Sequence, residues 1–450
     1  EWRGALPITY HLGPGPARAR LKLEFNWDRI TIYDVIARLE GSDYPDEWVI
    51  RGNHYDAWNH GAADPISGLV AMLAEAKSVA ALANAGQRPA RTIVYAAWDS
   101  EEQGLIGSTE WVEHHAAELD RHAVAYINTD SNARGFLNIA GSHTLERFFN
   151  QIARDVVDPQ TGVSLADRRR ARMLVSGDET QRQEVAERDD LRIAALGSGS
   201  DYSPFLQHLG IASVHLSFSG EGPGGSYHTL YDTYEHYTSF RDPGLVYSDA
   251  LARVAGRATL RLANARILPF EFTGFTDTIE LYLSELEELA DEMRTETARV
   301  NALIDDGIYD IALDPTKPLG PPKAESPVPY FNFAPLSNSL QLLQNAAASF
   351  EHALANGDVR ANELAELNAF LYSSERLLTR EAGLEGRPWY RHHIYAPGFY
   401  TGYGVKTIPG VRESIEQRSF DAVDSQIELA ASVLGDMAER IEMAAGYLDP

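Results

Sequence analysis

The sequence predicts an α/β fold, a mixed central sheet flanked by helices, followed by an all-α helical bundle. Three observations predict it. Apolar runs alternate with helical patterns from about Leu21 to Ala265. The later runs are continuously apolar, as strands covered on both faces are. Beyond the stretch NARILPFEF the pattern becomes wholly helical. At 450 residues the chain exceeds one ordinary core, so two units are expected, divided as 1–268 and 269–450.

The strand candidates are LKLEFNW (21–27), RITIYDVIARL (29–39), EWVIRGN (47–53), TIVYAAW (92–98), AVAYINTD (123–130) and ASVHLSF (212–218). The first two alternate apolar and polar residues, which suggests half-buried antiparallel strands. Helix candidates between them are 66–82, 107–119, 142–153 and 247–263. Later, four stripes recur at helical spacing: Ile279, Leu283, Leu286, Ala290 and Met293; Leu336, Leu340, Leu343, Ala347, Phe350 and Leu354; Leu364, Leu367, Leu371 and Leu378; and Val423, Ile427, Ala430, Met437 and Ile441. Four amphipathic helices read as a bundle. Of the two Pro-rich connections, 313–329 is expected to be extended. The other, 387–410, is too aromatic for a plain linker and is expected to pack down or face a ligand.

Composition narrows the function. Apolar residues make up 44% and charged residues 23%, ordinary for a globular protein. The net charge of -26 would repel phosphates, which argues against a nucleic-acid partner and an anionic membrane surface. There are no cysteines, so disulfides and thiolate metal sites are excluded and a metal must use His, Asp or Glu. No stretch reads as long and apolar enough to span a bilayer, and no transmembrane segment is expected. The opening EWRGALPITYHLGPGP lacks the features of a signal peptide. A trimmed form is expected, with a secreted or periplasmic location favoured.

The chemistry gathers at strand ends. The run 47–53 leads into His54 and Asp56, a spacing that suits a metal ligand and the carboxylate holding its other ring N–H. Asp64 follows in a Gly/Ala-rich loop; Glu101 and Glu102 follow the run 92–98; Asp130 closes 123–130; His228 lies in a Gly-rich loop. Each alone reads as a turn or a solvated loop. Together they place acids or histidines at the carboxyl edge of one sheet, where α/β proteins bind ligands. His54, Asp64, Glu102, Asp130 and His228 supply enough N and O donors for two zinc ions sharing one carboxylate. The spare carboxylate beside them would be the general base.

The stretches GNHYDAWNHGAADPISG, WDSEEQGLIGSTEW, AYINTDS, LGSGSDYSPFLQHLGIAS and YHTLYDTYE resemble the co-catalytic zinc exopeptidases of the M28 clan. They are most similar to the branch that includes glutamate carboxypeptidase II and the transferrin receptor. The resemblance runs from Trp2 to the C-terminus. It implies a zinc exopeptidase fold with a transferrin receptor-like dimerisation domain, and hence a homodimer. It implies that His54 and Asp130 bind one zinc, that Glu102 and His228 bind the other, and that Asp64 bridges them through a residue whose bond to Pro65 is cis. Glu101 would be the general base for a zinc-bound hydroxide, Tyr227 would steady the oxyanion, and Asp56 and Asp201 would support the site from behind. Ser198, Gly199, Ser200 and Tyr403 would line the substrate cleft. Glu110 and Glu113 match family calcium ligands.

Three departures bear on substrate. The family's first strands and its protease-associated insert are missing from this sequence. The arginines that grip acidic substrates are replaced by Ala140, His215 and Ser217. Gly402 stands where a lysine for the terminal carboxylate is expected, and Phe399, Tyr400 and Tyr403 are expected to shape an apolar pocket instead. The reading is a dizinc metallopeptidase acting on small peptides, with aminopeptidase or dipeptidase activity favoured. The alternatives are a glutamate carboxypeptidase-type enzyme and a non-catalytic receptor-like binder, which the complete ligand set argues against.

Overall fold

The computed structural model describes residues 18, 20–222, 224–314 and 322–448. By internal contacts the chain divides into Glu1–Ile32 and Tyr33–Pro450. The described residues of the first unit form no regular element, and Leu21, Leu23, Phe25 and Trp27 are exposed. The expected strand 21–27 is therefore not formed, and of 29–39 only Val35–Leu39 is a strand. Alternation marks which side chains share a face, but it cannot supply the neighbouring backbone that completes a ladder. The signal-peptide reading of the opening stretch lies outside the described residues, as does 315–321 of the first Pro-rich connection. Residues 322–329 of that connection have no regular structure, as expected.

Within Tyr33–Pro450 the described residues build a six-stranded mixed sheet. Its strands are β1 (Val35–Leu39), β2 (Tyr44–His54), β3 (Arg91–Trp98), β4 (Ala123–Asn128), β5 (Gly135–Gly141) and β6 (Ser213–Gly220), in the order β1-β3-β2-β4-β6-β5. The central strands β3, β2, β4 and β6 are parallel, and β1 and β5 run antiparallel at the edges. The continuously apolar runs are those parallel strands: Val49, Ile50, Ile93, Val124, Tyr126 and Val214 are buried. Register aligns their carboxyl ends, with His54 opposite Trp98 and Gly52 opposite Asn128.

Three features were not expected. Strand β5 was missed because its sequence GFLNIAG is short and bounded by glycines, although its burial alternates cleanly. The candidate helix 107–119 is broken into Ile106–His114 and Ala116–His122. Helices Leu165–Ser176 and Glu179–Glu187 went unread because their charge leaves too thin an apolar stripe. One expectation is corrected. By length and composition, helix Ile66–Asn84 is apolar enough to cross a membrane. Here it covers the sheet instead, burying Ala71, Met72 and Val79, and its Glu75 pairs with Arg51 at 3.1 Å.

The helical region follows the predicted stripes. Helices Thr273–Asp305, Ala334–Asn356, Leu364–Ser373 and Phe420–Gly446 bury Ile279, Leu286, Leu340, Phe350, Leu367, Ile427 and Met437. Two stripe ends depart: Leu354 is exposed, and Leu378 is buried on a short 3-10 turn.

His143 ties this region to the sheet. Its Nδ1 lies 3.0 Å from the Tyr395 hydroxyl and its Nε2 lies 3.3 Å from that of Tyr282. A neutral ring accepts from one tyrosine and donates to the other. Burial, with Arg192 and Arg188 nearby, holds His143 down to about 3. The unfolded chain binds a proton at this residue near pH 6.5, which the folded chain refuses. Stability is therefore lost as pH falls from 6.5 toward 3, approaching about 1.4 kcal/mol per pH unit from this group. Urea unfolding midpoints between pH 7 and 5 should fall less steeply in His143→Gln than in the wild type. An equal slope would remove His143 as the cause.

Candidate metal centre

The carboxyl ends of β2, β3 and β4 converge on two clusters: His54, Glu101 and Asp130, and Asp64, Glu102 and His228. Within each, one donor atom per residue lies within 4.8 Å of the others. His54 closes β2, and Glu101 and Glu102 follow β3. Asp130 lies two residues past the end of β4. Asp64 and His228 arrive on loops. His228 has a left-handed backbone (φ 56°), rare for histidine, and Asp64 precedes Pro65 through a cis bond.

Asp64 joins the clusters. Its Oδ1 lies 3.4 Å from His54 Nε2, and its Oδ2 lies 2.9 Å from His228 Nε2. On one side Asp130 Oδ1 is 3.0 Å from His54 Nε2; on the other Glu102 Oε2 is 3.1 Å from His228 Nε2. The other nitrogen of His54 faces Asp56, with the carboxylate at 3.4 Å and the backbone carbonyl at 3.2 Å. That partner fixes the tautomer and turns Nε2 inward.

The supports are equally specific. Asp56 accepts the backbone N–H groups of Glu101 (3.0 Å) and Glu102 (3.3 Å), so one carboxylate orients His54 and holds both glutamates. Ser200 donates to Asp130 Oδ2 at 2.7 Å and receives from Asn128 at 2.9 Å. Asp232, not singled out from the sequence although it lies in YHTLYDTYE, is buried and accepts the amides of Ala63 (2.9 Å) and Asp64 (3.1 Å). Gly68 lets helix Ile66–Asn84 start against the strand ends. A Cβ there would meet the Asp130 carbonyl oxygen at 2.1 Å and Asn53 Oδ1 at 2.3 Å.

Electrostatics sets the donor chemistry. Burial, then the charges of Asp201, Asp130 and Glu102, push Glu101 up to about 9 despite His54. Burial and Asp64 push Glu102 up to about 7 despite His228. Asp201, fully buried behind the site, is raised to about 7, first by burial and then by Asp130 and Asp56. Burial opposes a charge on His54, but Asp130, Asp56 and Asp64 outweigh it and raise its pKa. Buried, mutually repelling carboxylates around inward-facing imidazoles are relieved by a dication, which inverts this local balance. The set of nitrogen and oxygen donors fits zinc, manganese or cobalt.

The centre floors a cleft of about 810 Å³. Ser198, Gly199, Ser200, Tyr227 and Tyr403 all line it, as do Trp58 and Tyr390, which sequence reasoning passed over. No lysine or arginine lines it among the described residues. The aromatic connection 387–410 does face the cleft, through Tyr390 and Tyr403, but Phe399 and Tyr400 do not line it, which corrects the expected pocket. Two of the three positions that lack arginine, His215 and Ser217, are in the wall, whereas Ala140 is not.

Residues 34–244 match peptidase family M28, and residues 331–442 match the transferrin receptor-like dimerisation domain. Residues 34–244 are a peptidase family M28 domain. It is 33% identical over 412 residues to the protein named probable glutamate carboxypeptidase LAMP1 of Arabidopsis thaliana, covering 91% of this chain and 52% of that one. It is 34% identical over 309 residues to the aminopeptidase NAALADL1 of Mus musculus, covering 64% of this chain and 40% of that one. Among solved structures, the peptidase M28 precursor of Shewanella amazonensis aligns at 27% identity and a TM-score of 0.35, over 52% of this chain and 46% of that one. The chain thus spans about half the length of the first relative and less of the second.

Within the M28 domain, Glu110 and Glu113 are exposed on helix Ile106–His114 and belong to neither cluster. Glu113 accepts the indole N–H of Trp389 at 2.6 Å.

Proposed function

We propose that this M28 protein is a co-catalytic metallopeptidase holding two zinc ions, an exopeptidase that trims small peptides. Asp64 carries the reading, because its two oxygens address the two clusters separately, at 3.4 and 2.9 Å. His54 and Asp130 would hold one ion and Glu102 and His228 the other, with Asp64 shared between them. The ions would polarise the scissile carbonyl and acidify the attacking water. Glu101, with its side chain 3.9 Å from His54 Nε2, takes the proton of that water as the C–O bond forms. It delivers the proton to the departing amine nitrogen as the C–N bond breaks. Tyr227 stays protonated, its pKa raised by burial and then by Asp64 and Tyr403, and its hydroxyl donates to the developing oxyanion.

Cleft charge favours an aminopeptidase or dipeptidase. The two ions would neutralise Asp64, Glu102 and Asp130, so what distinguishes the wall is that no lysine or arginine lines it among the described residues. A terminal carboxylate would find none of its natural guanidinium partners there. The second reading, a glutamate carboxypeptidase-type enzyme, is favoured by the name of the Arabidopsis relative. We further propose a boundary at 268/269 between the peptidase domain and the helical domain, homodimerisation through the latter, and Glu110 and Glu113 as calcium ligands only if a further segment completes their shell.

A peptide library incubated with the zinc-loaded protein and read at both ends by mass spectrometry tests the substrate reading. Loss of N-terminal neutral or apolar residues is expected. Release of C-terminal glutamate would favour the second reading, and a purified protein holding no zinc and trimming neither end would leave only a receptor-like binder.

A further inference from the structure

Helix Leu165–Ser176 carries Arg168, Arg169, Arg170 and Arg172 in a chain of net charge -26. Two of them are absorbed locally. Arg168 pairs with Asp158 and Glu221, and Arg170 donates to the carbonyls of Val185, Arg188 and Asp189. Arg169 and Arg172 instead line a second cavity, of about 480 Å³ and separate from the cleft. It is bounded by this helix, by helix Glu179–Glu187 and by the edge strand β5, and Arg192 joins its wall.

The three guanidinium groups are under-used. Arg169 donates one N–H to the Arg192 carbonyl at 2.6 Å, but its Nη1 is shielded from solvent and donates to nothing. Arg192 reaches Thr278 through Nη1, while its Nε is shielded and unpartnered. Arg172 lies over the Phe136 ring at 4.5 Å and makes no ion pair among the described residues. The cavity's one carboxylate, Glu184, accepts the backbone N–H of Arg192 at 2.7 Å. In the cavity wall three cations thus meet one carboxylate, and Glu146, buried behind Arg169 and Arg192, is already taken by Arg188 at 2.7 Å and by the Ile193 N–H at 3.0 Å. Arginine cannot shed its proton, and shielded N–H groups without acceptors are unfavourable. A bound oxyanion would satisfy both, since guanidinium forks match carboxylate and phosphate.

We propose that this cavity is a binding site for a small oxyanion ligand, one bearing a phosphate or carboxylate group, held by Arg169, Arg172 and Arg192. Phe136 and Met173 give it an apolar floor for the rest of the ligand. Asn138 connects it to the cleft, because it lines the cavity while its amide donates to Ser219 Oγ in the cleft wall at 2.8 Å.

The test is calorimetric titration of the zinc-loaded protein with inorganic phosphate and, separately, with succinate, at fixed ionic strength. Wild type, Arg169→Gln and Arg172→Gln are compared. Arg172 is exposed, so that variant keeps the fold if Arg169→Gln does not. At least one anion should bind, and each substitution should weaken it about tenfold, the size of one lost charge-assisted bond. Binding of phosphate alone, or of succinate alone, supports the site and names its ligand class. Equal affinity in Arg172→Gln and wild type would place the anion elsewhere, at the zinc centre or as an adventitious ion only, and would overturn the proposal, as would no binding of either. Peptide hydrolysis by Arg172→Gln should be unchanged, which keeps this result independent of the peptidase reading.

Discussion

Glu101→Gln is expected to keep its zinc and lose turnover by about 10²–10⁴-fold, the contribution of a general base. The substitution preserves shape, and the backbone N–H that anchors the loop to Asp56 at 3.0 Å is untouched. What disappears is the ability to take a proton. In the metal-free site burial and three neighbouring acids push the wild-type carboxyl up to about 9, and bound dications would bring it down to the carboxylate that accepts the proton. An amide has no such basicity. Zinc content by mass spectrometry and kcat on a peptide found by the library screen are the two readouts. Activity within tenfold of wild type would show that another group moves the proton. Loss of metal together with activity would make Glu101 a ligand, in keeping with its place in the His54 cluster.

Asp64→Ala is expected to lose zinc from both clusters and all measurable turnover. Residues behind a metal typically change its affinity by about 10–100-fold, so the loss of a shared ligand should exceed that range. The geometry is the reason: one carboxylate stands 3.4 Å from one imidazole and 2.9 Å from the other, and among the described residues no other carboxylate is paired with both histidines. Full occupancy of two ions in Asp64→Ala would refute the shared role. One retained ion would show that the clusters bind separately.

Much of this was legible along the chain because strand ends are local events. An apolar run of six to eight residues that stops at His54, at Glu101 or at Asp130 announces both the strand and the group it presents. The helical stripes were legible for a similar reason, since burial of Leu340, Leu343 and Phe350 is set by spacing on one helix. Reading failed where the decisive partner was distant. Asp232 holds the Asp64 loop from 168 residues away, and nothing in its own surroundings distinguishes it from a turn aspartate. Tyr390 and Tyr403 share an aromatic stretch with Phe399 and Tyr400, and only the folded path decides which two face the cleft. The arginines of helix Leu165–Ser176 carry no signal along the chain, and only folding gathers Arg169, Arg172 and Arg192 around one cavity.

The α/β class, the helical region, the M28 motifs and the residue types available to a metal could all be read along the chain, because each rests on short-range pattern or on motif identity. Folding was needed to show that Asp64 turns one oxygen to each histidine, that Asp56 serves His54 and both glutamates, and that the cleft wall carries no lysine or arginine among the described residues. Those are relations between segments far apart in the chain. Their free energies depend on distances of a few ångströms in a buried, weakly screened site, and such distances exist only after the sheet has brought the strand ends together.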